Sequence, residues 1–190
     1  MAYLPMFLGM DDAKVLVVGA GEVGRHKLEK LLDFTQNITM LALEVQDESK
    51  TLIDKHSLTL LEKPYETGDI KGYDVVIVAT ETESLHKAIY EESRNSRILV
   101  NSVDNTSYCD FIFPSYVQKG DLTVAFSTGG TSPAFAKHIR KHFEATLPNS
   151  IGKFLEKMKT LRATMPKGKE RMKYFEGLVE GYFSGEFRKK

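Results

Sequence analysis

The stretch Lys14-Val-Leu-Val-Val-Gly-Ala-Gly-Glu-Val-Gly24 predicts how the first part of the chain folds. Its apolar run is typical of a strand buried on both faces, as in a parallel sheet. The glycines match the pattern G-x-G-x-x-G, and leucines at helical spacing over residues 23–33 predict a helix directly afterwards. In this context a tight turn lets the backbone approach a pyrophosphate, whose oxygens face the amides of the helix N-terminus. The alternative is a tight turn that only packs.

Further apolar runs alternate with helical segments up to about residue 113. The predicted strands cover residues 38–43, 58–61, 73–79 and 98–100, and a predicted helix covers residues 83–93. Strands that alternate with helices predict an α/β fold with a doubly wound parallel sheet. We therefore expect a Rossmann-like, NAD-binding domain over residues 1–113.

The pattern of the sequence changes after Pro114. Residues 116–126 look like a hairpin, and Ser132-Pro133 predicts the start of a helix that runs to about residue 145. Helices are then predicted over residues 151–165 and 169–181, with a short last piece. These patterns predict a small α+β dimerisation segment over residues 114–148 and a helical C-terminal segment over residues 149–190.

The dimerisation segment is too short to form an independent core, since domains of fewer than about 40 residues need help. The same segment of a second chain could complete its hairpin and helix, so we expect a homodimer. In such a dimer the active site could combine residues of both chains.

Composition excludes several classes of protein. The chain has 190 residues, of which 42% are hydrophobic and 27% charged, with 26 Lys and Arg against 26 Asp and Glu. It is therefore neither disordered nor strongly basic, which argues weakly against a nucleic-acid binder. No apolar run reaches the roughly 20 residues of a membrane span, and the N-terminus lacks the features of an export signal. A single cysteine, Cys109, excludes an internal disulfide and fits a cytoplasmic protein.

Charge is unevenly distributed along the chain. Residues 151–190 hold 11 Lys and Arg against 5 Asp and Glu. Such a cationic segment is compatible with an anionic partner or with an ordinary solvated helical face.

Two residues near predicted strand ends are candidates for contacts with the cofactor's riboses. Glu44 lies 20 residues beyond Gly24, just past the second predicted strand, and an acid here would bind ribose hydroxyls and favour NAD over NADP. The usual acid sits at the end of the strand, nearer Leu41, so a plain surface residue is the alternative. Thr80 follows the strand 73–79, where it could contact the nicotinamide ribose.

Asn101-Ser-Val-Asp104 ends the next predicted strand and therefore points to the same crevice. Asp104 places a carboxylate beside the expected nicotinamide position, where it could act as a general base or bind a metal or a pyrrole N–H. The alternative is that Asp104 only caps the loop before Asn105.

Ser127-Thr-Gly-Gly-Thr-Ser-Pro133 is a second glycine-rich turn that opens a helix. Hydroxyls and free amides at a helix N-terminus form a cradle for anions, and the helix carries Lys137, Arg140 and Lys141. The combination suits a substrate with several carboxylates. His138 and His142 have the spacing of a metal pair, but no Glu follows His138 and a metal is not favoured. Cys109 is interpreted as an inert buried thiol.

The combination of these motifs resembles a known family. The motifs are Leu4-Pro5-Met-Phe7, Val-Val-Gly-Ala-Gly-Glu-Val, Asn101-Ser-Val-Asp104, Phe111-Ile-Phe-Pro-Ser115 and Ser127-Thr-Gly-Gly-Thr-Ser-Pro133. Together they resemble the precorrin-2 dehydrogenase / sirohydrochlorin ferrochelatase family, the N-terminal module of siroheme synthase. The resemblance covers nearly the whole chain and is strongest over residues 4–145.

This resemblance implies an activity. Members of the family remove hydrogen from precorrin-2 with NAD⁺, which gives sirohydrochlorin and NADH. Some members also insert Fe²⁺ to make siroheme, so Fe²⁺ is an implied chelatase substrate with Asp104 as its guiding residue. Because the chain stops at Lys190, it is expected to lack the methyltransferase half of the fused synthases, and a separate methyltransferase would supply precorrin-2.

The resemblance also implies roles for individual residues. Asp104 matches the family's key aspartate, implicated in both activities. Thr128 stands where bifunctional relatives often have a second serine, and alanine replaces Gly24 in some relatives, so that swap is expected to be tolerable. The resemblance implies that Gly21, Glu22 and Val23 hold the pyrophosphate and that Leu43 and Glu44 flank the adenosine ribose. The motifs add Gly19, Gly24 and Thr80 to the predicted cofactor-binding residues. The predicted substrate-binding residues are Asn101, Ser127, Thr128, Gly129, Gly130, Thr131 and Ser132.

Two other classes of function compete with this interpretation. An NAD-sensing regulatory module would share the first glycine turn but would not need the turn at 127–133 beside Asp104. An interaction protein would act through the cationic residues 151–190. The enzymatic interpretation instead expects the two glycine-rich pockets to converge on Asp104.

Overall fold

The structure, a computed structural model, describes residues 3–186. The described residues form two compact units, 3–112 and 113–186. The predicted domains 1–113 and 149–190 include residues 1, 2 and 187–190, which lie outside the described residues. The division of the second unit into a dimerisation segment and a helical segment stays a prediction.

The first unit is built on a parallel sheet of five strands in the order β3-β2-β1-β4-β5. Its strands are β1 (Val15–Ala20), β2 (Ile38–Val45), β3 (Thr59–Glu62), β4 (Val75–Val78) and β5 (Leu99–Ser102). Its helices are α1 (Glu22–Leu31), α2 (Asp47–Lys55) and α3 (Glu83–Ser93), with a short 3₁₀ turn at Thr106–Tyr108. The chain order reverses between β1 and β4, and ligands bind at such a switch point in open α/β sheets. The predicted Rossmann-like α/β fold is confirmed.

The two central strands explain why this sheet forms. Val15–Val18 and Val75–Val78 are buried throughout, because helices cover both faces of a parallel sheet. The periodic leucines of α1 are also buried, with Leu28 fully enclosed. Continuous apolar runs therefore mark the centre of the sheet.

The structure differs from the predicted elements around β2. This strand continues to Val45, because Val45 pairs with Ala20 after a shift in register between β1 and β2. Leu43 and Glu44 consequently lie inside β2, and the prediction that Glu44 follows the strand is wrong. Helix α2 was not predicted, since it carries only two large apolar residues, Leu52 and Ile53, in a polar segment.

The second unit begins with an antiparallel hairpin, which was predicted. Strands β6 (Ser115–Lys119) and β7 (Leu122–Phe126) are joined through Gly120, whose φ is +60°. Three helices follow, α4 (Pro133–Thr146), α5 (Ile151–Thr164) and α6 (Lys169–Glu186). Helix α6 continues through Gly181 rather than ending there, so no separate last piece exists among the described residues.

The core of the second unit is small. Among its described residues only Val117, Ala136, Ile151 and Phe175 are apolar and buried. Aromatic pairs supplement them, including the stacked rings of Phe154 and Tyr182, with centroids 4.1 Å apart. Within residues 3–186, each helix is too short or too polar to cross a membrane.

Candidate functional site

The glycine turn after β1 packs without spare room. Gly19 has a φ of +106°, and a methyl group there would lie 2.9 Å from the carbonyl carbon of Ala79. A methyl group on Gly24 would lie 2.9 Å from the carbonyl carbon of Gly19 and still closer to its oxygen. Helix α1 thus rests directly on the backbone of β1. The expectation that alanine is tolerable at position 24 is wrong for this backbone.

The N-terminus of α1 leaves backbone amides available. The first bond inside the helix runs from the Arg25 amide to the Gly21 carbonyl at 2.9 Å, and no side chain of the described part of the chain caps the helix. The amides of Glu22, Val23 and Gly24 precede that bond, so they have no acceptor within the helix. A pyrophosphate supplies such acceptors, and the turn therefore fits a dinucleotide.

Gly21 faces open space at the same turn. A methyl group on Gly21 would find only the side-chain amide of Gln46, at 3.8 Å from its nitrogen. The Gln46 backbone amide donates to the Ala20 carbonyl at 3.3 Å, which holds the end of β2 against the turn. Gln46 was not among the residues predicted from the sequence. Its position directly after β2 and before α2 is the signal that could have identified it.

The predicted adenosine contacts lie exposed near this turn. The side chain of Leu43 is 69% exposed, and Glu44 beside it is also exposed. Both side chains are therefore accessible to a ligand, and their contacts with an adenosine ribose stay predictions.

Thr80 follows β4 at the switch point of the sheet. The Ala79 amide donates to the Val18 carbonyl at 2.8 Å, so the ends of β1 and β4 lie side by side. The Thr80 Oγ1 atom is buried and has no hydrogen-bond partner among the described residues. Buried hydroxyls normally have a partner, so this atom fits a hydroxyl or amide of a bound ligand.

Asp104 lies in the loop after β5, next to the same strand ends. The Val103 amide donates to the Val78 carbonyl at 2.9 Å, which fixes this loop beside the end of β4. Asp104 is exposed and has a φ of +61°, a left-handed conformation that is uncommon for residues other than glycine. Strained backbone of this kind concentrates at functional sites. Asn105 caps the 3₁₀ turn that follows, since its Oδ1 accepts the Ser107 amide at 3.1 Å, and the alternative that Asp104 only caps the loop stays a prediction.

The thiol of Cys109 braces the Asp104 loop from inside. Its Sγ atom donates toward the carbonyls of Ser102 and Asn105, at 3.1 and 3.3 Å, and accepts the Ser102 amide at 3.2 Å. The side chain is buried, and burial raises the pKa of the thiol. Cys109 is therefore the buried thiol that was predicted, and its contacts join the two ends of the loop.

A second brace closes the segment after this loop. The Asp110 carboxylate accepts the Val100 amide at 2.9 Å and two bonds from the Arg94 guanidinium at 2.8 and 2.6 Å. Burial acts to raise the pKa of Asp110, but these donors outweigh it and the pKa is lowered. The Asn101 side chain is 4% exposed and donates to the Phe111 carbonyl at 2.8 Å. Its predicted contact with substrate stays a prediction.

Lys27 brings a cation toward Asp104. It lies on the face of α1 that carries the buried residues Gly24 and Leu28, and its side chain is half-buried. Burial lowers the pKa of Lys27 and so does the charge of Lys30, while the Asp104 carboxylate acts in the opposite direction. Lys27 was not predicted from the sequence, although its spacing of three from Gly24 places it on the packed face of α1.

The glycine-rich loop at 127–132 belongs to the second unit. The hydroxyl oxygens of Ser127 and Thr128 accept the amides of Gly129 and Ser132 at 3.1 and 3.0 Å, and Ser132 Oγ accepts the Phe135 amide at 3.2 Å. Fewer amides are therefore free than the sequence suggested. Each hydroxyl nevertheless keeps its own hydrogen to donate, so the loop presents ordered O–H groups to an anion.

Helix α4 begins at this loop, with Ser132 at the N-cap as predicted. Lys137 and Lys141 are exposed, whereas Arg140 pairs with Glu144 at 2.6 Å. Over residues 3–186 no group of three or more His, Cys, Asp or Glu side chains is arranged to hold a metal ion.

Comparison with known proteins now identifies the first unit. Residues 6–115 match a family model described as "Putative NAD(P)-binding", which covers more than half of the chain. The chain belongs to this NAD(P)-binding family. The family's cofactor agrees with the uncapped helix and glycine turn of the first unit, and residues 119–146 match a second model, "Sirohaem biosynthesis protein central".

Relatives confirm the resemblance found in the sequence. Over 95% of this chain, siroheme synthase of Pseudoalteromonas atlantica is 35% identical and that of Methylococcus capsulatus 34%. The chain spans only 40% and 39% of the length of these two relatives. A solved structure of SirC, precorrin-2 dehydrogenase, superimposes with a TM-score of 0.77 at 25% identity, covering 94% of this chain and 88% of that one.

Proposed function

We propose that this protein oxidises precorrin-2 to sirohydrochlorin with NAD⁺ as hydride acceptor. In this reaction precorrin-2 loses a hydride to the nicotinamide and a proton to a base, and NADH is the second product. Two comparisons support this reaction. The similar solved structure is that of a precorrin-2 dehydrogenase, SirC, and the similar full-length proteins are siroheme synthases. The observation that carries the proposal is the exposed carboxylate of Asp104, held in a left-handed conformation beside the switch point of an NAD(P)-binding sheet.

The cofactor is proposed to lie across the ends of β1, β2 and β4. The free amides of Glu22 and Val23 bind the pyrophosphate, and Gly21 lets it approach. Glu44 accepts the ribose hydroxyls and selects NAD over NADP, because its charge would repel a 2′-phosphate. Thr80 contacts the nicotinamide ribose through its hydroxyl, which has no partner within residues 3–186. Bound NAD⁺ supplies the hydride acceptor, so the protein's own tasks are positioning and electrostatics.

Asp104 is proposed to orient the macrocycle and to accept the proton released as the hydride leaves. An exposed carboxylate can reach a substrate, and the braces from Cys109 and Asp110 hold its loop in place.

The carboxylates of the tetrapyrrole are proposed to bind the loop 127–132, whose ordered hydroxyl hydrogens can donate to them. The small core of the second unit supports a homodimer in which a second copy completes it. A methyltransferase acting earlier would supply precorrin-2. Fe²⁺ insertion is a separate proposal in which Fe²⁺ is a substrate guided by Asp104.

The replacement Asp104→Asn tests the proposed base, and the backbone makes it a well-matched variant. Asparagine tolerates the left-handed conformation as aspartate does, so the substitution removes the charge without a new backbone penalty. In an anaerobic assay the unaltered protein should form NADH and sirohydrochlorin in equal amounts. Asp104→Asn should bind NAD⁺ normally and turn over about 10²- to 10⁴-fold more slowly, the usual contribution of a general base.

Three outcomes have distinct meanings. Undiminished turnover by Asp104→Asn would reject the base. No turnover by the unaltered protein, with NAD⁺ still bound, would favour the NAD-sensing module. Addition of Fe²⁺ after sirohydrochlorin has formed tests chelation, and a product spectrum that does not change would reject that activity.

A further inference from the structure

A buried histidine lies directly behind Thr80 and has no role in the function described so far. His86 is in the first turns of α3 and is 3% exposed. Its Nε2 atom lies 2.8 Å from the Thr80 carbonyl oxygen. Because a carbonyl only accepts, Nε2 must carry the hydrogen and donate it. The other ring nitrogen, Nδ1, is buried and has no hydrogen-bond partner among the described residues.

This arrangement is unfavourable for a residue that serves only the core. A buried polar atom without a partner is destabilising, and an apolar side chain of similar volume would avoid that penalty. The one hydrogen bond that His86 makes is with the segment that follows β4. Departures of this kind from the rules of core packing are expected where a residue serves function.

Thr80 is held from two sides. On one side, a methyl group on Gly19 would lie 3.2 Å from Thr80 Cγ2, so the threonine side chain rests against the glycine turn. On the other side, His86 holds the Thr80 carbonyl. The segment from β4 to α3 has no side-chain cap at Thr82, so this bond from α3 is a specific restraint on its backbone. Both contacts therefore restrain the residue that carries this hydroxyl.

We propose that His86 is a positioning residue of the cofactor site, whose Nε2–H fixes the Thr80 backbone and thereby aims the Thr80 hydroxyl at the nicotinamide half of a bound dinucleotide. This inference rests on the proposed role of Thr80 in binding NAD, but not on the identity of the substrate. The inference assigns α3 a part in cofactor binding, although the His86 side chain acts through Thr80 and does not itself contact the cofactor.

The test compares two substitutions of the full chain. His86→Phe keeps a ring of similar size and removes the donor. His86→Gln keeps a donor, because the amide nitrogen of glutamine lies about as far along the side chain as Nε2 does. The dissociation constant of NADH is measured by fluorescence titration, and thermal unfolding is followed for each variant. We expect His86→Phe to weaken NADH binding about tenfold and His86→Gln to restore it to within about threefold of the unaltered protein.

Combination with Thr80→Val separates positioning from a purely structural role. Thr80→Val removes the hydroxyl and keeps the shape of the side chain. If His86 acts through that hydroxyl, His86→Phe should weaken NADH binding little further once Thr80→Val is present, so the two effects are not additive. If His86 had a purely structural role, His86→Phe would instead lower the unfolding temperature. It would also weaken NADH binding by the same factor in the unaltered protein and in Thr80→Val.

Each result decides something. Unchanged NADH binding in His86→Phe, additive effects in the double variant, or failure of His86→Gln to restore binding would overturn the inference, as would a protein that binds no NADH. Normal NADH binding without oxidation of precorrin-2 would reject the proposed reaction and leave the test of His86 intact.

Discussion

Gly24→Ala should destabilise the protein because of a contact between two backbones. The added methyl group would lie 2.9 Å from the carbonyl carbon of Gly19. Non-bonded carbon atoms prefer about 3.5 to 4.0 Å, so α1 must move away from β1 by about 1 Å. The obstacle is the main chain of a buried strand and cannot rotate away as a side chain would. Overpacking of this kind typically costs about 1 to 3 kcal/mol.

Gly21→Ala is the matched control in the same turn. Gly21 has a φ of −80°, and a methyl group there would meet nothing nearer than the Gln46 amide nitrogen at 3.8 Å. Its effect on the free energy of unfolding should therefore stay within about 0.5 kcal/mol. The methyl group would instead occupy space that the pyrophosphate needs, so NAD⁺ should bind about tenfold or more weakly.

Urea unfolding and NAD⁺ titration of the two variants give the readout. Gly24→Ala should lower the urea midpoint with an unchanged slope, and Gly21→Ala should lower affinity at an unchanged midpoint. The reasoning would be refuted if Gly24→Ala unfolded at the midpoint of the unaltered protein and bound NAD⁺ equally well. In that case the backbone of the turn shifts at little cost in free energy, and alanine is tolerable at position 24.

Two further changes test charges near the site. Glu44→Gln should strengthen NADP⁺ binding relative to NAD⁺ about tenfold or more, because two like charges placed side by side cost on the order of several kcal/mol. The control Glu91→Gln on α3 should not change this preference. An unchanged ratio of the two dissociation constants in Glu44→Gln would exclude Glu44 from the ribose site. Because the pKa of Asp110 is lowered, its contacts stabilise the fold above the pKa of about 3.9 that aspartate has when unfolded, and this stabilisation is lost as pH falls through the lower folded pKa. Asp110→Asn should therefore unfold at a lower urea concentration at pH 7 and lose less stability on acidification. The control Asp121→Asn, which removes an exposed ion pair with Lys159, should do neither. The prediction would be contradicted if the unfolding free energies of Asp110→Asn and of the unaltered protein ran parallel as the pH is lowered.

The parts of the fold that depend on local sequence were predictable. An apolar run, a glycine turn and periodic leucines within residues 14–33 determine β1, the turn and α1, and the structure has all three. Helix α2 was not predictable in the same way, because its polar sequence shows only a weak apolar pattern. The end of β2 depends on the pairing of Val45 with Ala20, a contact that hydrophobic periodicity does not encode.

The candidate site shows the same division. Gly19 and Gly24 follow from the glycine motif between a strand and a helix, and Thr80 follows from the rule that ligands bind at strand ends, so their positions could be expected from the sequence. Gln46 could be expected only from its position directly after β2, and His86 could not, because the carbonyl that it contacts lies beside it only in the folded chain. A polar side chain in a helix gives no sign in the sequence of which carbonyl it will contact.

The loop that carries Asp104 shows why such polar contacts matter for the proposed chemistry. Its position is set by the thiol of Cys109, the carboxylate of Asp110 and the Val103 amide, and each makes a directional hydrogen bond to the main chain. Apolar packing alone would leave a loop free to relax from a left-handed conformation, since any residue but glycine gains free energy by doing so. Hydrogen bonds that hold the backbone on both sides of Asp104 oppose that relaxation. A carboxylate that must accept a proton from a bound substrate needs such a fixed backbone, because small displacements of a catalytic group cost large factors in rate.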